Sequence, residues 1–114
     1  MAYLYFKKET DPNMVGLSDK LMHMLDGARK VAGVPFIITS GLRTPEHNAE
    51  VGGVADSSHL KGLAADLSCI DSSSRYAIIY GLYVAGFKRM ELSDDKKHIH
   101  VDIDESKTQR VMIM

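Results

Sequence analysis

The sequence predicts an α+β domain in which a small, mostly antiparallel sheet is flanked by two main helices. Two segments repeat their apolar residues at the helical period, whereas other segments are short and β-branched or alternate strictly. Separate helices and strands of this kind are typical of an α+β fold. The 114 residues suffice for one core, so we expect a single domain over residues 1–114.

Composition excludes several classes of partner. A net charge of -1 provides no broad positive field, and no stretch has the length of a membrane span, so we expect neither nucleic acid nor a membrane. Cys69 is the only cysteine, which rules out an intrachain disulfide and indicates a buried thiol. Residues 1–10 lack a secretory signal, so we expect synthesis in the cytoplasm. We also expect a monomer that acts on small molecules or short peptides.

The first main helix is predicted to begin after Ser18, a suitable N-cap, and to end at Gly33. Its apolar positions recur at helical spacing at Leu21, Met24, Leu25, Ala28 and Val31. His23 lies off this stripe, so we expect it at the surface. Residues 35–40 are short and β-branched, which predicts a buried strand that leads to Arg43.

A short helix is predicted next, because Thr44 and Pro45 suit the N-cap and the first helical position. The glycines at residues 52–53 end it and open a loop that runs to Ser58. Irregular loops of this length often carry functional residues.

Residues 63–69 alternate in the manner of a strand. One face carries Leu63, Ala65, Leu67 and Cys69, and the other carries Ala64, Asp66 and Ser68. Asp66 therefore points away from the more apolar side.

The second main helix is predicted over about residues 73–85 from apolar and aromatic residues at helical spacing. These residues are Tyr76, Ile79, Tyr80, Tyr83 and Val84. We expect the pair Ser72-Ser73 to cap the helix, Gly86 to end it, and the tyrosines to pack in the core.

The remaining strands are predicted at residues 87–92 and 98–103, with a charged turn between them and an edge strand at 110–113. The second of these segments places Ile99, Val101 and Ile103 on one face and His98, His100 and Asp102 on the other. Ordinary half-exposed strands also show such a polar face, so neighbouring motifs must decide its meaning.

A second polar motif lies in residues 57–66, where the loop residue His59 is followed seven positions later by Asp66. Catalytic zinc commonly takes three protein ligands, among them imidazole nitrogens and carboxylate oxygens. His59, Asp66 and His100 provide that number and type, which predicts a Zn²⁺ site.

The order Ser57-x-His59-x-x-Gly62-x-Ala64-x-Asp66 and then His98-x-His100, preceded by the run SGLRTPEHN at residues 40–48, resembles the zinc D-alanyl-D-alanine carboxypeptidases. The similarity runs from about Phe36 to Asp104. That family forms one superfamily with the lysostaphin-type endopeptidases and the hedgehog domain, whose members share a zinc-bearing antiparallel sheet.

The resemblance implies that His59, Asp66 and His100 bind zinc and that the substrate is the peptidoglycan stem peptide of bacterial walls. It leaves open whether the bond is a terminal D-Ala-D-Ala bond, a D,D-crosslink or the L-Ala-D-Glu bond. Many relatives have a glutamate base three residues before the last histidine, where this chain has Lys97. Relatives with His-x-His offer the first histidine instead, which makes His98 the catalytic candidate.

Other residues receive roles around this centre. Glu91 is the reserve candidate for general base. Arg43 matches the family's arginine that engages substrate oxygens, or else it forms a structural salt bridge. Ser57 contacts substrate or shapes its loop. We place Asp102 among the substrate-binding residues. From its strand face, Asp102 either orients His98 or is a solvated carboxylate. For His47, in the short helix, we expect an exposed structural role.

Two other functions compete with a peptidase. The scaffold of the hedgehog domain retains a metal while it serves recognition, so one alternative is a zinc-stabilised module that binds without catalysis. The other is an intracellular packing or scaffold protein that binds no metal. If the chain is a wall peptidase without a signal, we expect a phage or prophage lysis enzyme, similar to an endolysin, that is released through a pore or carried in the virion.

Overall fold

A computed structural model describes residues 3–52, 57–69, 71–93, 95, 97–107 and 110–113. The helices are α1 (Asp19–Ala32), α2 (Pro45–Glu50) and α3 (Ser72–Val84). The strands are β1 (Ile38–Ser40), β2 (Ala64–Ser68), β3 (Arg89–Leu92), β4 (His98–Asp102) and β5 (Arg110–Ile113). Two short 3-10 helices occupy Pro12–Met14 and Ser58–Lys61, and neither was predicted.

The five strands form one sheet in the order β1-β2-β4-β3-β5. Neighbours are antiparallel except for β3 and β5, which run parallel. The predicted α+β class with a mostly antiparallel sheet is therefore confirmed, and β5 is the predicted edge strand. Among the helices that the structure describes, none has the length and apolar character needed to cross a membrane.

Helix α1 has the boundaries that its capping residues predict. The Ser18 hydroxyl accepts a hydrogen bond from the Leu21 amide at 3.0 Å, and Gly33 ends the helix in a left-handed conformation with φ 71°. The helix buries Leu21, Leu25 and Ala28 with other apolar residues, and His23 is exposed as expected. Met22 joins the buried stripe, whereas Val31 is exposed.

Helix α3 corrects the prediction for the tyrosines. Its buried residues are Ile78, Gly81 and Leu82, whereas Tyr76, Tyr80 and Tyr83 are exposed by 75%, 51% and 72%. A Cβ on Gly81 would lie 2.3 Å from the Ala28 carbonyl oxygen, so the two helices approach each other through this glycine. This close approach turns the tyrosines to the outside. The N-cap is Asp71, not the predicted serine pair, and its carboxylate accepts from the Ser74 amide.

Strands β2 and β4 show the predicted alternation. Asp66 lies directly opposite His100 in this antiparallel pair, and His100 lies opposite Glu91 of β3. The other face of these strands belongs to the core with α1 and α3 and includes Ala65, Leu67, Met90, Ile99 and Val101. The register thus brings three polar residues of three strands into one row on the face away from the core. Cys69 is buried, as expected.

Some predicted boundaries differ. The strand predicted for residues 35–40 is short, because only Ile38–Ser40 pairs with β2. The loop predicted after α2 includes residues 53–56, and the charged turn includes residues 94 and 96, which lie outside the described residues.

Candidate metal centre

Three side chains from separate elements converge at the polar face of the sheet. Asp66 Oδ1 lies 3.2 Å from His59 Nε2 and 3.0 Å from His100 Nδ1. One ligand atom from each residue lies within 4.8 Å of the others. A strand pair supplies two of these residues, and the 3-10 helix Ser58–Lys61 supplies the third.

The ring of His59 is fixed by backbone groups. Its amide donates to the Ser57 hydroxyl at 3.2 Å, and Gly62 ends this short helix with φ 71°. His59 Nδ1 lies 2.8 Å from the Gly41 carbonyl oxygen. Because a carbonyl only accepts hydrogen bonds, Nδ1 carries a proton, and in the neutral ring the lone pair is on Nε2 and faces Asp66.

The ring of His100 is fixed by a carboxylate. Its Nε2 lies 2.9 Å from Asp102 Oδ2, and Asp102 in turn accepts from Arg89 Nε at 2.9 and 3.1 Å. The Asp102 side chain is fully buried. Donation from Nε2 to Asp102 leaves Nδ1 directed at Asp66, so both histidines present an unprotonated nitrogen to the same point when neutral.

The charges at this point favour a cation. Burial opposes the charged form of Asp66, but hydrogen bonds from His100 and His59 hold the pKa of Asp66 below its ordinary value. Burial likewise opposes the charged form of His100, but the carboxylates of Asp102 and Asp66 raise the pKa of His100 to about 9. In the absence of metal, His100 therefore holds a second proton. Its positive charge balances the Asp66 carboxylate in the place where a bound cation would do so.

These donors fit a zinc ion. Two imidazole nitrogens and one carboxylate oxygen match the ligand set of catalytic zinc sites, and each imidazole donates its other N–H to an acceptor. The three side chains form part of the wall of a cavity of about 740 Å³. The cavity leaves space for a substrate beside the ligands.

A family model described as Peptidase M15 matches residues 5–102. The chain belongs to the peptidase M15 family. The family resemblance predicted from the sequence is thus confirmed. M15 peptidases are metallopeptidases, so the cluster of His59, Asp66 and His100 is the candidate metal site of an M15 peptidase.

The chain is also similar to a solved structure, that of the L-Ala D-Glu endopeptidase ChiX from Serratia marcescens. The TM-score is 0.57 at 20% sequence identity, and the similarity covers 85% of this chain and 87% of that chain. This likeness shows a shared fold over most of both chains. No curated protein sequence matches this M15 chain.

The cavity also brings together four of the residues predicted around the metal. Arg43, Ser57, Glu91 and His98 all line it. His47 also lines the cavity, although its side chain is 55% exposed, as expected. The substrate and catalytic roles of these residues remain predictions.

Arg43 is tightly held at the edge of the cavity. Its Nη2 donates to Asp66 Oδ2 at 3.2 Å, its Nη1 to Asn48 Oδ1 at 3.3 Å and its Nε to Ser40 Oγ at 3.3 Å. The side chain retains 14% exposure. The predicted salt bridge therefore exists, and the same guanidinium also borders the space for substrate.

The two acid/base candidates differ in their surroundings. His98 is 44% exposed, and its Nδ1 lies 3.9 Å from Asp95 Oδ1. Glu91 is 18% exposed, and its Oε1 lies 3.6 Å from Arg89 Nη2. Glu91 needs no rearrangement of the backbone to face the metal ligands, because it lies opposite His100 in the sheet.

Asp102 departs from the prediction. Its carboxylate contacts His100 and Arg89 rather than His98, and it is buried rather than solvated. It does not line the cavity of the candidate site, so the structure places it behind the candidate ligand His100 and not on the side of the cavity. The physical reason is the adjacent Arg89, whose charge compensates a buried carboxylate.

Four supporting groups were not predicted, namely the Gly41 carbonyl, Asn48, Arg89 and Asp104. For Asn48 and the Gly41 carbonyl, the only signal was their place in the motif at residues 40–48. Arg89 lies on a strand beside Asp102, and such a partner requires knowledge of strand order.

Proposed function

We propose that the chain is a zinc-dependent peptidase that hydrolyses a bond in the stem peptide of bacterial peptidoglycan. The type would be a D-Ala-D-Ala carboxypeptidase or an endopeptidase. The observation that carries this proposal is the convergence of His59 Nε2, Asp66 Oδ1 and His100 Nδ1 in the wall of a large cavity. Membership of the M15 family supports it.

The metal would be held by His59, Asp66 and His100. Zn²⁺ at this point would supply Lewis-acid chemistry, which polarises a peptide carbonyl and strengthens water as an acid. The Gly41 carbonyl and the Asp102 carboxylate would hold the N–H of each neutral ring on the far nitrogen, so that the nitrogen facing Asp66 would carry the lone pair that binds the metal.

Arg43 would bind the substrate. Its guanidinium borders the cavity and is held by Asn48 and Ser40, so it is already in place before a peptide arrives. A planar guanidinium suits a peptide carbonyl or a terminal carboxylate. The predicted role in substrate binding is thus compatible with its contact to Asp66.

His98 would transfer the proton to the leaving amine, with Glu91 as the alternative. Histidine is the side chain that enzymes use most often to transfer a proton to or from a reacting group. The half-exposed ring of His98 borders the cavity and can reach a bound peptide. Glu91 also borders the cavity but is held by Arg89.

His98→Gln and Glu91→Gln distinguish these two residues. We expect His98→Gln to lower kcat about 10²–10⁴-fold with metal still bound, the usual contribution of a general acid or base. Glu91→Gln should have a smaller effect. The matched control is His23→Gln, which changes an exposed histidine on α1. A larger loss in Glu91→Gln would transfer the role to Glu91.

The function itself is tested with purified peptidoglycan and soluble muropeptides. The protein is assayed as purified, after chelation, and after Zn²⁺ is restored, with mass spectrometry of the products. We expect new amino groups in the zinc-loaded samples and none after chelation, and the product masses would identify which of the three bonds is cut. Bound zinc without hydrolysis would favour the binding module, and the absence of bound metal would overturn the proposal.

The three candidate bonds remain open within this proposal. The similar ChiX structure carries the name of an L-Ala D-Glu endopeptidase, so that bond must be included among the substrates. Action on the wall after release, as in phage or prophage lysis, also remains a proposal. It is tested by adding the protein to bacteria from outside and by expressing it with a pore-forming protein.

A further inference from the structure

A buried carboxylate beside the metal centre has no part in the mechanism described so far. Asp104 follows strand β4 and is 4% exposed. Its Oδ2 accepts from Ser58 Oγ at 2.8 Å and from Lys61 Nζ at 3.1 Å. Its Oδ1 accepts from the Ser106 amide at 3.1 Å. Asp104 also lies beyond residue 102, where the match to the M15 model ends.

The contacts of Asp104 reach both histidine ligands through one residue each. Ser58 directly precedes His59 in the short 3-10 helix. On the other side, the Asp104 amide donates to Asp102 Oδ1 at 3.1 Å, and Asp102 Oδ2 contacts His100 Nε2 at 2.9 Å. One residue thus connects the segment that carries His59 to the carboxylate that orients His100.

The 3-10 helix Ser58–Lys61 needs such an external contact. It has only four residues, and helices this short are not stable by themselves. It is held at its end by the Gly62 carbonyl, which accepts from the Ser18 amide at 2.9 Å. At its start, Ser58 is 2% exposed and contacts Asp104. The Arg43 amide also donates to the His59 carbonyl at 3.1 Å, and the Gly41 carbonyl contacts the His59 ring at 2.8 Å. The buried contact to Asp104 is thus the link among these that joins the start of the helix to the segment after β4.

We propose that Asp104 is a positioning residue that sets the separation of the two histidine ligands. Its carboxylate holds the helix that carries His59, while its amide holds Asp102 and thereby His100. A metal ion needs all its ligands at fixed short distances, so a loose link between the two segments weakens binding. This inference rests on the proposed metal site.

The first test measures metal affinity, not activity. Asp104→Ala should bind Zn²⁺ about 10- to 100-fold more weakly than the wild type in competition with a chromophoric chelator, the usual effect of losing an outer contact of a metal site. Substituted Co²⁺, whose visible absorption reports ligand geometry, should show an altered spectrum. Asp104→Asn should be milder, since its carbonyl oxygen can still accept from Ser58.

A matched control separates positioning from general stability. Asp26 is another buried carboxylate, 8% exposed, that accepts from the Leu4 and Tyr5 amides at 2.9 and 2.8 Å. Asp26→Ala should lower the thermal midpoint but leave the Zn²⁺ affinity and the Co²⁺ spectrum unchanged. If both variants lose metal affinity equally, Asp104 has no special role and the proposal is overturned.

A double-mutant cycle tests the path through Ser58. Ser58→Ala should weaken Zn²⁺ binding as Asp104→Ala does. The double variant should bind no more weakly than the weaker single variant, because both substitutions remove the same contact between Ser58 and Asp104. Lys61→Met should change affinity less than about threefold, since its ion pair is half-exposed. The Ser58→Ala and Asp104→Asn variants keep the test decisive if Asp104→Ala does not fold.

The outcomes separate this inference from the proposed function. If the wild type binds no metal, the proposed function fails together with its basis. If the wild type binds Zn²⁺ and the folded Asp104 and Ser58 variants bind it equally well with the same Co²⁺ spectrum, only the positioning role fails. Additive losses in the double variant would also contradict a single shared contact.

Discussion

The two faces of strand β4 are stabilised in different ways. On the core face, Ile99 and Val101 are 1% and 0% exposed and pack in the cluster shared with both main helices. On the other face, His100 is held by hydrogen bonds to Asp66 and Asp102. Apolar contacts are not directional, whereas each hydrogen bond requires a particular atom in a particular place.

This difference teaches where the chain tolerates change. A core residue can be replaced by another of similar volume at modest cost, because its neighbours adjust. A partner of a metal ligand has no such substitute, because its loss removes both an orientation and a balanced charge. We therefore expect variants of the two faces to separate stability from metal affinity.

The largest effect is expected for Asp102→Ala. The free energy of unfolding should fall by about 3–5 kcal/mol, because the buried Arg89 loses its close carboxylate. Metal affinity should fall about 10- to 100-fold, because His100 Nε2 loses its acceptor. Urea unfolding of the metal-free protein and chelator competition measure the two quantities. An unchanged affinity would show that His100 needs no carboxylate behind it.

Leu82→Ala should lower stability without lowering metal affinity. Leu82 is fully buried on α3 in the core cluster, so its truncation should cost about 2–5 kcal/mol in the same urea experiment. The folded fraction should bind Zn²⁺ as the wild type does, because the Leu82 side chain is apolar and packs in the core cluster on the other face of the sheet. A loss of affinity as large as that of Asp102→Ala would mean that the two faces are coupled.

Arg43→Lys should affect hydrolysis more than metal binding. Lysine has no fork and cannot keep the contacts to Ser40, Asn48 and Asp66 together. If Arg43 binds substrate, kcat/KM should fall about 10- to 100-fold, which corresponds to the loss of one hydrogen bond between a charged group and the substrate. Steady-state kinetics with a soluble muropeptide, alongside Zn²⁺ titration, measure this. A loss of metal affinity with normal kinetics at saturating zinc would assign Arg43 a structural role only.

The smallest effect is expected for Tyr83→Ser. Tyr83 is 72% exposed on α3, away from the face that packs on α1. Its replacement should change the free energy of unfolding by at most about 0.5 kcal/mol and leave hydrolysis unchanged. Thermal unfolding and the muropeptide assay check both values. A clear loss of stability would show that the exposed tyrosines contribute to folding.

Residues that are close in sequence were predicted well. The cap of α1 at Ser18 and its end at Gly33 follow from local chemistry, and the alternation in β2 and β4 places Asp66 and His100 on the polar face. The error with the α3 tyrosines has a distinct origin. Tyrosines at helical spacing satisfy the period of a packing face, but the face that packs is the one where Gly81 permits close approach to α1.

The groups that hold the candidate metal ligands could not be predicted in the same way. His59 and the Gly41 carbonyl are 18 positions apart, and Ser58 and Asp104 are 46 positions apart. No local period relates such pairs. Asp102 illustrates this, since its strand face was correctly predicted but its burial depends on Arg89 from the neighbouring strand.

The sequence by itself thus determined the two strands that carry Asp66 and His100, the family and the three residues that converge as candidate ligands. The tertiary structure decided which nitrogen of each histidine faces Asp66, because that depends on the acceptor at the other nitrogen. It also decided which face of α3 is buried and how Asp104 links the two ligand segments. The physical reason is that periodicity arises from backbone geometry over a few residues, whereas acceptors and close contacts come from distant parts of the chain.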